Sequence, residues 1–282
     1  MANNKKDKGK KEQKPQRSCI FCQGYGMTAQ HLWPDWMGRD ESMPTYRKKE
    51  GPTSKSYSQL LNRMTILHSE RTILVDGPQV KQRQGPFSSR KLLIVCGKCN
   101  NGWMSDIEVK SKPVVKSLIS QQEVILSDSD QKKLAVWLTL MTIVAEFTDL
   151  PMKVIPGNER KAFMDTKESP ATWVIWLGRT DSDVWQQRYH HVATGVANPA
   201  DLPLADSTKA NIQISIFGLG GIVAFISSTS DPKFQSLITN LPPAGMVKLC
   251  PPTGSPINWD SMRIITSEEI FAMSEVFRKY IG

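Results

Sequence analysis

The chain has 282 residues, 39% of them hydrophobic, and carries 36 Lys and Arg against 27 Asp and Glu, for a net charge of +9 and a pI near 9.3. That length and composition can bury a real core, as one large domain or two small ones, and we expect two. No apolar run approaches a membrane span and the stretch from Met1 to Arg17 is too polar for a signal peptide, so a membrane protein is excluded and the cytoplasm is expected.

Residues 1–18 form a basic tail. Seven basic side chains (Lys5, Lys6, Lys8, Lys10, Lys11, Lys14, Arg17) face two acidic ones (Asp7, Glu12), so more than half of the net positive charge sits in a segment with almost no apolar residue. Such a segment is expected to be disordered on its own. It reads as an arm for a nucleic-acid backbone, acting through salt-dependent attraction, or as a solubilising terminus.

Of the five cysteines, Cys250 stands alone and the other four fall in two Cys-x2-Cys knuckles, Cys19 to Cys22 and Cys96 to Cys99. Four soft thiolates in two pairs are the ligand set of a closed tetrahedral structural Zn2+ site, and a disulfide framework is not expected in a reducing compartment. Gly24 and Gly26 let the chain turn sharply under the metal. His31 follows among Leu32, Trp33, Trp36 and Met37, so its segment is packed, and Pro34 with Asp35 is expected to open a short helix. Residues 40–85 are an insertion between the knuckles, starting with a charged loop and carrying a helix or strand at Ser56 to Leu67, a strand at Arg71 to Val75, and His68 as a surface residue. Lys81, Arg83, Arg90 and Lys91 bracket Gly85-Pro86-Phe87-Ser88-Ser89 ahead of a buried strand, Leu92 to Val95. They suit contacts to phosphate, or form an ordinary solvated hairpin.

Three segments carry a family resemblance: Cys19-x2-Cys22, Ala29-Gln30-His31-Leu32-Trp33-Pro34, and Val95-Cys96-x2-Cys99-Asn100-Asn101-Gly102-Trp103-Met104-Ser105. Together they resemble the His-Me finger (HNH) endonucleases, in particular the zinc-ribbon kind that includes the phage endonuclease VII type. The resemblance covers roughly the first 110 residues closely and the remainder only faintly. It implies a ββα-metal finger in which His31 is the general base that takes a proton from the attacking water. It also implies that Asn100 is a ligand, through its side-chain oxygen, of a catalytic Mg2+ or Mn2+, although Asn100-Asn101-Gly102 can equally make a tight turn. The substrate implied is nucleic acid, DNA ahead of RNA.

Two departures matter. The residue before the histidine is usually acidic in that family and helps to hold the divalent ion; here it is Gln30, whose amide oxygen can coordinate Mg2+ without a negative charge. The middle Asn of the HNH pattern is missing, with Ser88, Ser89 or Arg90 in its neighbourhood. Either another group completes the metal site, or the protein binds nucleic acid without cutting it efficiently.

Ser105 to Ser120 has helical periodicity with Pro113 as a kink or break. Ser105-Asp106-Ile107-Glu108 has the spacing of a capping box, so Glu108 is either a helix-start residue or, like Asp106, a carboxylate able to supply charge near the metal. Leu134 to Phe147 is apolar on nearly every face and is expected to be a central core helix within residues 121–150. Strands are expected at Trp173 to Leu177, Tyr189 to Val196, Asn211 to Phe217, Ile222 to Ser227 and Met246 to Leu249. A hairpin is expected across Gly218 to Gly221, a helical turn at Phe234 to Thr239 and a closing helix from Ser267 to Tyr280 with Ser267 as its cap. The Gly218 to Gly221 run lacks the Lys-Ser/Thr of a phosphate loop. His190 and His191 are adjacent and point to opposite faces of a strand. Trp173, Trp176 and Trp185 read as core rather than a base-stacking platform.

The expected class is therefore α+β: a zinc-ribbon finger over 19–120, a connecting helix, and an antiparallel-sheet α+β domain over 151–282. Three functions fit: a metal-dependent endonuclease, a zinc-ribbon binder of nucleic acid without catalysis, and a zinc-stabilised interaction module. Deleting residues 1–17 is expected to weaken DNA binding at low salt and to flatten its salt dependence, by about one unit of slope for each phosphate the arm no longer neutralises. Titrations over a salt series check this, and equal affinity and slope in the truncated chain would assign the tail to solubility alone.

Overall fold

The structure, a computed structural model, describes residues 17–41, 43, 91–120, 123–148, 153–182, 185, 187–194, 211–229, 232–240, 243 and 245–273. The basic residues Lys5 to Lys14, the expected elements of the insertion, His68, Lys81, Arg83 and Arg90, and the end of the closing helix lie outside the described residues.

The architecture is mixed α+β. In the N-terminal part, β1 (Met27–His31) pairs antiparallel with β2 (Lys91–Cys96), so that Met27 faces Cys96 and His31 faces Lys91. Between Thr28 and Gln30 the register shifts, with two residues of β2, Leu93 and Ile94, lying against Ala29 of β1. Only the last two residues of β2 are buried and Leu93 is 50% exposed, so the uniformly buried strand expected at Leu92 to Val95 is a half-buried one. A 3-10 helix, Asp35–Arg39, follows Pro34 as expected.

Directly after β2 the chain turns helical at Gly97–Cys99, passes through a π-helical turn at Asn100–Met104 with Gly102 off helical geometry (φ −99, ψ −118), and continues as α1 (Ser105–Ile119). Ser105 is thus inside a helical run, and the capping box expected there does not form: Met104 precedes α1 in helical conformation with no side-chain cap. Pro113 does not break α1. The carbonyl that proline deprives of a partner belongs to Val109, which is 67% exposed and open to water.

The core is built on α2 (Asp128–Glu146), longer than expected at its start because Ser127 caps it, its side chain accepting from the Asp130 N–H. From Leu134 on, almost every residue is buried, and the hydroxyls of Thr139 and Thr142 are satisfied by the carbonyls of Ala135 (2.9 Å) and Leu138 (2.8 Å). One side of α2 packs on α1; the sheet packs on another. A short helix that the sequence did not lead us to expect, α3 (Gly157–Thr166), follows, anchored by buried Phe163 with Met164 packed beside the core.

A two-stranded pair joins β3 (Ile125–Leu126) to β9 (Ile257–Asn258). The main sheet contains β4 (Trp173–Thr180), β5 (Gln187–Thr194), β6 (Ile212–Leu219), β7 (Ile222–Thr229), β8 (Val247–Cys250) and β10 (Ile264–Ile265). Its order is β10-β4-β7-β6-β5, with β8 also on β4, and every pair is antiparallel except β10 with β4. The expected antiparallel sheet therefore has one parallel edge. Gly220 and Gly221 (φ 55 and 88) make the tight turn between β6 and β7.

Strands β6 and β7 are buried on both faces, one toward α2 and the other toward α4 (Pro232–Asn240), a full helix where a turn was expected, and a helix over 267–273. That last helix is capped one residue earlier than expected: the Thr266 hydroxyl accepts from Glu269 N–H while the Glu269 carboxylate accepts from Thr266 N–H. Trp173, Trp176 and Trp185 are buried. No helix among the described residues is long and apolar enough to cross a membrane.

The core is continuous from Cys19 and Phe21 through α2 into the sheet. Trp33, just after β1, stands edge-on to Phe217 of β6 at 5.8 Å. Phe217→Ala is expected to cost about 3–5 kcal/mol of stability, read as a lowered thermal midpoint.

Candidate functional site

The sulfurs of Cys19, Cys22, Cys96 and Cys99 all lie within 4.8 Å of one another, and Cys22 Sγ is 3.5 Å from Cys96 Sγ. Thiolates about 2.3 Å from a tetrahedral Zn2+ stand about 3.8 Å apart, so the four sulfurs fit an ion of that kind. All four are free cysteines, Cys22 exposed and the others buried. The backbone builds the cluster. Cys19 N–H donates to Gly24 O (2.8 Å), Gly97 N–H to Gly26 O (3.0 Å), and Ile20 N–H to Ile94 O (3.0 Å), which joins the first knuckle to β2. Gly26 (φ +81) takes the turn expected of it; the other left-handed residue is Gln23 (φ 58), and Gly24 serves by its size, its N–H reaching Cys22 Sγ at 3.4 Å.

The protein alone does not make four thiolates comfortable. Burial opposes ionisation of Cys19, but hydrogen bonds from the backbone of Cys22, Cys96 and Phe21 outweigh it and bring the thiol to about 7. Cys99 is pushed up to about 12 by burial and by the neighbouring sulfurs, and Cys22 is also raised, burial again coming first. A cation is what lets all four ionise together.

Beside this cluster lie the other expected site residues. Asn100, directly after Cys99, donates from Nδ2 to Thr28 Oγ1 at 3.1 Å across to β1. Two residues along the same face of β1, Gln30 is 6% exposed; its Nε2 donates to His31 O (2.9 Å), and the side chain hydrogen-bonds Glu108 on α1. Thr28 and Gln30 thus face the same helical run, one meeting Asn100 and the other Glu108. Burial pushes Glu108 up to about 7, with the Asp35 carboxylate adding to the rise and Gln30 opposing it.

His31 ends β1 with its side chain 18% exposed. Its Nε2 lies 3.8 Å from Asp35 Oδ1, while Nδ1 is buried without a hydrogen-bond partner in the structure. Burial holds its pKa below the usual 6.5, helped by Lys91 and Arg39 and opposed by Asp35. Lys91, exposed, faces His31 across the strand pair.

Comparison with protein-family models, with curated proteins and with solved structures finds no match to this chain. The assignment of the site therefore rests on its chemistry. Among the described residues the four cysteines are the one group of three or more Cys, His, Asp or Glu ligands that can hold a metal ion; Cys250, His190 and His191 join no such group. His191 instead bonds Ser215 Oγ through Nδ1 at 3.0 Å.

The order of residues pointed to His31, Gln30, Asn100 and the cysteines but not to Thr28 or Asp35. Asp35 had a readable signal, four residues beyond His31 and one helical turn away once Pro34 starts a helix. Thr28 had none, because its partner is far along the chain.

Replacing Cys96 or Cys99 with Ser is expected to leave the chain metal-free and to lower its melting point sharply, since a closed thiolate site contributes on the order of 10 kcal/mol in small metal modules. Metal analysis with melting curves before and after chelation tests this. Less than about one ion per chain, with a melting curve indifferent to chelator, would refute a structural metal.

Proposed function

We propose that this chain is a metal-dependent endonuclease of the HNH, or His-Me finger, kind, cutting phosphodiester bonds of nucleic acid, with DNA the favoured substrate. The observation that carries this reading is the pairing of β1 with β2 and the helix directly after β2. That arrangement brings His31 to the end of one strand and Asn100 to the first helical turn, with the four-cysteine cluster formed by the knuckles that flank them.

In this reading Zn2+ occupies the four thiolates and is structural, since all four positions of a tetrahedral ion are filled and none is left for substrate. A catalytic Mg2+ or Mn2+, when bound, neutralises charge on the scissile phosphate and on the leaving oxygen. The side-chain oxygens of Asn100 and Gln30 suit such a hard ion. In this reading His31 takes the proton of an attacking water, and the Asp35 carboxylate, 3.8 Å from Nε2, stabilises the imidazolium that results. Lys91, across from His31, offers a cation to a phosphate beside the reacting one. Lys5, Lys6, Lys8, Lys10, Lys11, Arg83 and Arg90 add charge for holding the backbone further out.

One observation favours the second reading, a nucleic-acid binder without catalysis. Gln30 brings no carboxylate to the ion, and no second group of three or more acidic, His or Cys ligands is preassembled among the described residues.

His31→Ala separates the two. If the chain cuts, this variant is expected to lose about 10²- to 10⁴-fold in rate while keeping metal content, fold and DNA affinity. Gln30→Glu is expected to tighten the divalent ion and raise activity. Plasmid and branched-DNA cleavage with Mg2+, Mn2+ or EDTA measures both. Cleavage that survives in His31→Ala would remove His31 from the mechanism, and tight binding by a wild type that cuts nothing would favour the binder.

A further inference from the structure

The four cysteines of the cluster are not equivalent toward a reagent in solution. Cys22 is exposed, whereas Cys19, Cys96 and Cys99 are buried. Their hydrogen bonding differs in the same sense. Cys19 takes backbone hydrogen bonds from Cys22, Cys96 and Phe21, while Cys22 Sγ has the Gly24 N–H, at 3.4 Å, as its backbone donor. With a metal ion bound all four are thiolates, and a sulfur engaged by several donors is the weaker nucleophile. Cys22 is therefore the sulfur that an oxidant meets first and that reacts best with it.

Cys22 also has a reaction partner in place. Its Sγ lies 3.5 Å from that of Cys96, 74 positions along the chain. Backbone contacts hold these two segments together without help from the sulfurs. Ile20 N–H, two residues before Cys22, donates to the carbonyl of Ile94, two residues before Cys96, and Gly97 N–H donates to Gly26 O. Cys99 lies beyond the strand, at the end of the helical turn Gly97–Cys99, so it is Cys96 that the strand pairing fixes against the first knuckle.

We propose that Cys22 and Cys96 are a redox modification site, which hydrogen peroxide converts to a disulfide that joins the two knuckles and expels the structural ion. The Cys22 thiolate attacks one peroxide oxygen, the O–O bond breaks, and hydroxide leaves behind a sulfenic acid. The Cys96 thiolate then attacks the Cys22 sulfur, forming the S–S bond and displacing a second hydroxide. Each sulfur gives up one electron, the peroxide takes both, and the two hydroxides leave as water after taking protons from solvent. Cys19 and Cys99 remain, two ligands where a closed structural site needs four. The new bond spans the same stretch of chain as the cluster, so the strand pair stays tethered when the ion goes. The inference rests on the thiolate metal site and not on the nuclease reading.

The test treats the full-length, zinc-loaded chain with a few equivalents of hydrogen peroxide, follows Zn2+ release with a colorimetric chelator, and maps the product by mass spectrometry without reduction. Trypsin cuts after Lys98 and so places Cys96 and Cys99 on different peptides, while fragmentation separates Cys19 from Cys22. Zn2+ is expected to appear in step with a Cys22–Cys96 disulfide, and a thiol reductant with added Zn2+ is expected to restore the starting state. The oxidised chain is expected to melt above the reduced chain stripped by chelator. Cys22→His, which keeps a zinc ligand but removes the reactive sulfur, is expected to slow release by at least ~10-fold. A disulfide confined to Cys19 and Cys22, a bond from Cys22 to Cys99, or Zn2+ retained through the treatment would each overturn the proposal, as would a wild type that holds no zinc. Should Cys22→His not hold zinc, the disulfide map of the wild type decides by itself.

Discussion

The arrangement of the N-terminal part depends on four sulfurs brought together across a long stretch of chain. Cys22 and Cys96 are 74 positions apart, and closing a loop of that length costs on the order of 4 kcal/mol in chain entropy. The two short strands between the knuckles offer little against that: five residues of β1 lie on six of β2, with few buried side chains. Metal binding by four thiolates would be worth on the order of 10 kcal/mol, more than the closure cost, and would act where β2 meets β1.

The second constraint is the seam between this unit and the rest of the chain. Phe21 of the first knuckle stands edge-on to Trp103 at 4.9 Å, and Trp103 meets Phe163 of α3 at 5.8 Å. Arg160, also on α3, donates from Nε to Ile20 O within the knuckle and from its guanidinium to Ile155 O. Glu146, at the end of α2, is fully buried; it accepts from the N–H groups of Val154 and of Ile155 and faces the Arg160 charge. Burial pushes Glu146 up to about 7 despite those donors. A carboxylate is retained there because the turn after α2 presents backbone donors that an apolar residue would leave unsatisfied. The metal cluster is thereby tied to the core helix through packed rings and a polar network, and Trp33 against Phe217 ties the segment after His31 to the sheet.

Electrostatics divide the site into two zones along β1. Toward the cysteines, Thr28, Asn100 and Gln30 are neutral amides and a hydroxyl, groups that orient without charging. Toward the strand end, His31, Asp35, Arg39 and Lys91 place both signs of charge around one imidazole.

Much of this was legible in the order of residues. Cys-x2-Cys repeated is a metal signature because a knuckle needs only local spacing, and the grouping of Cys19, Cys22, Cys96 and Cys99 followed from it. The apolar run of α2 and the strands β4, β6 and β7 were readable because burial on all sides leaves largely hydrophobic sequence. What failed was local chemistry overruled by its surroundings. Ser105 to Glu108 has capping-box spacing but follows Met104, which is already in helical conformation, and Pro113 is carried through a helix because the carbonyl it orphans belongs to exposed Val109. Short strands such as β3, β9 and β10 have too few residues to show a period, and β10 made one edge of the sheet parallel. The chain by itself determined which four side chains could bind a soft metal. Tertiary structure alone decided that Glu108 meets Gln30, Thr28 meets Asn100 and Trp33 meets Phe217, because each contact joins segments whose separation along the chain carries no signal until the fold closes it.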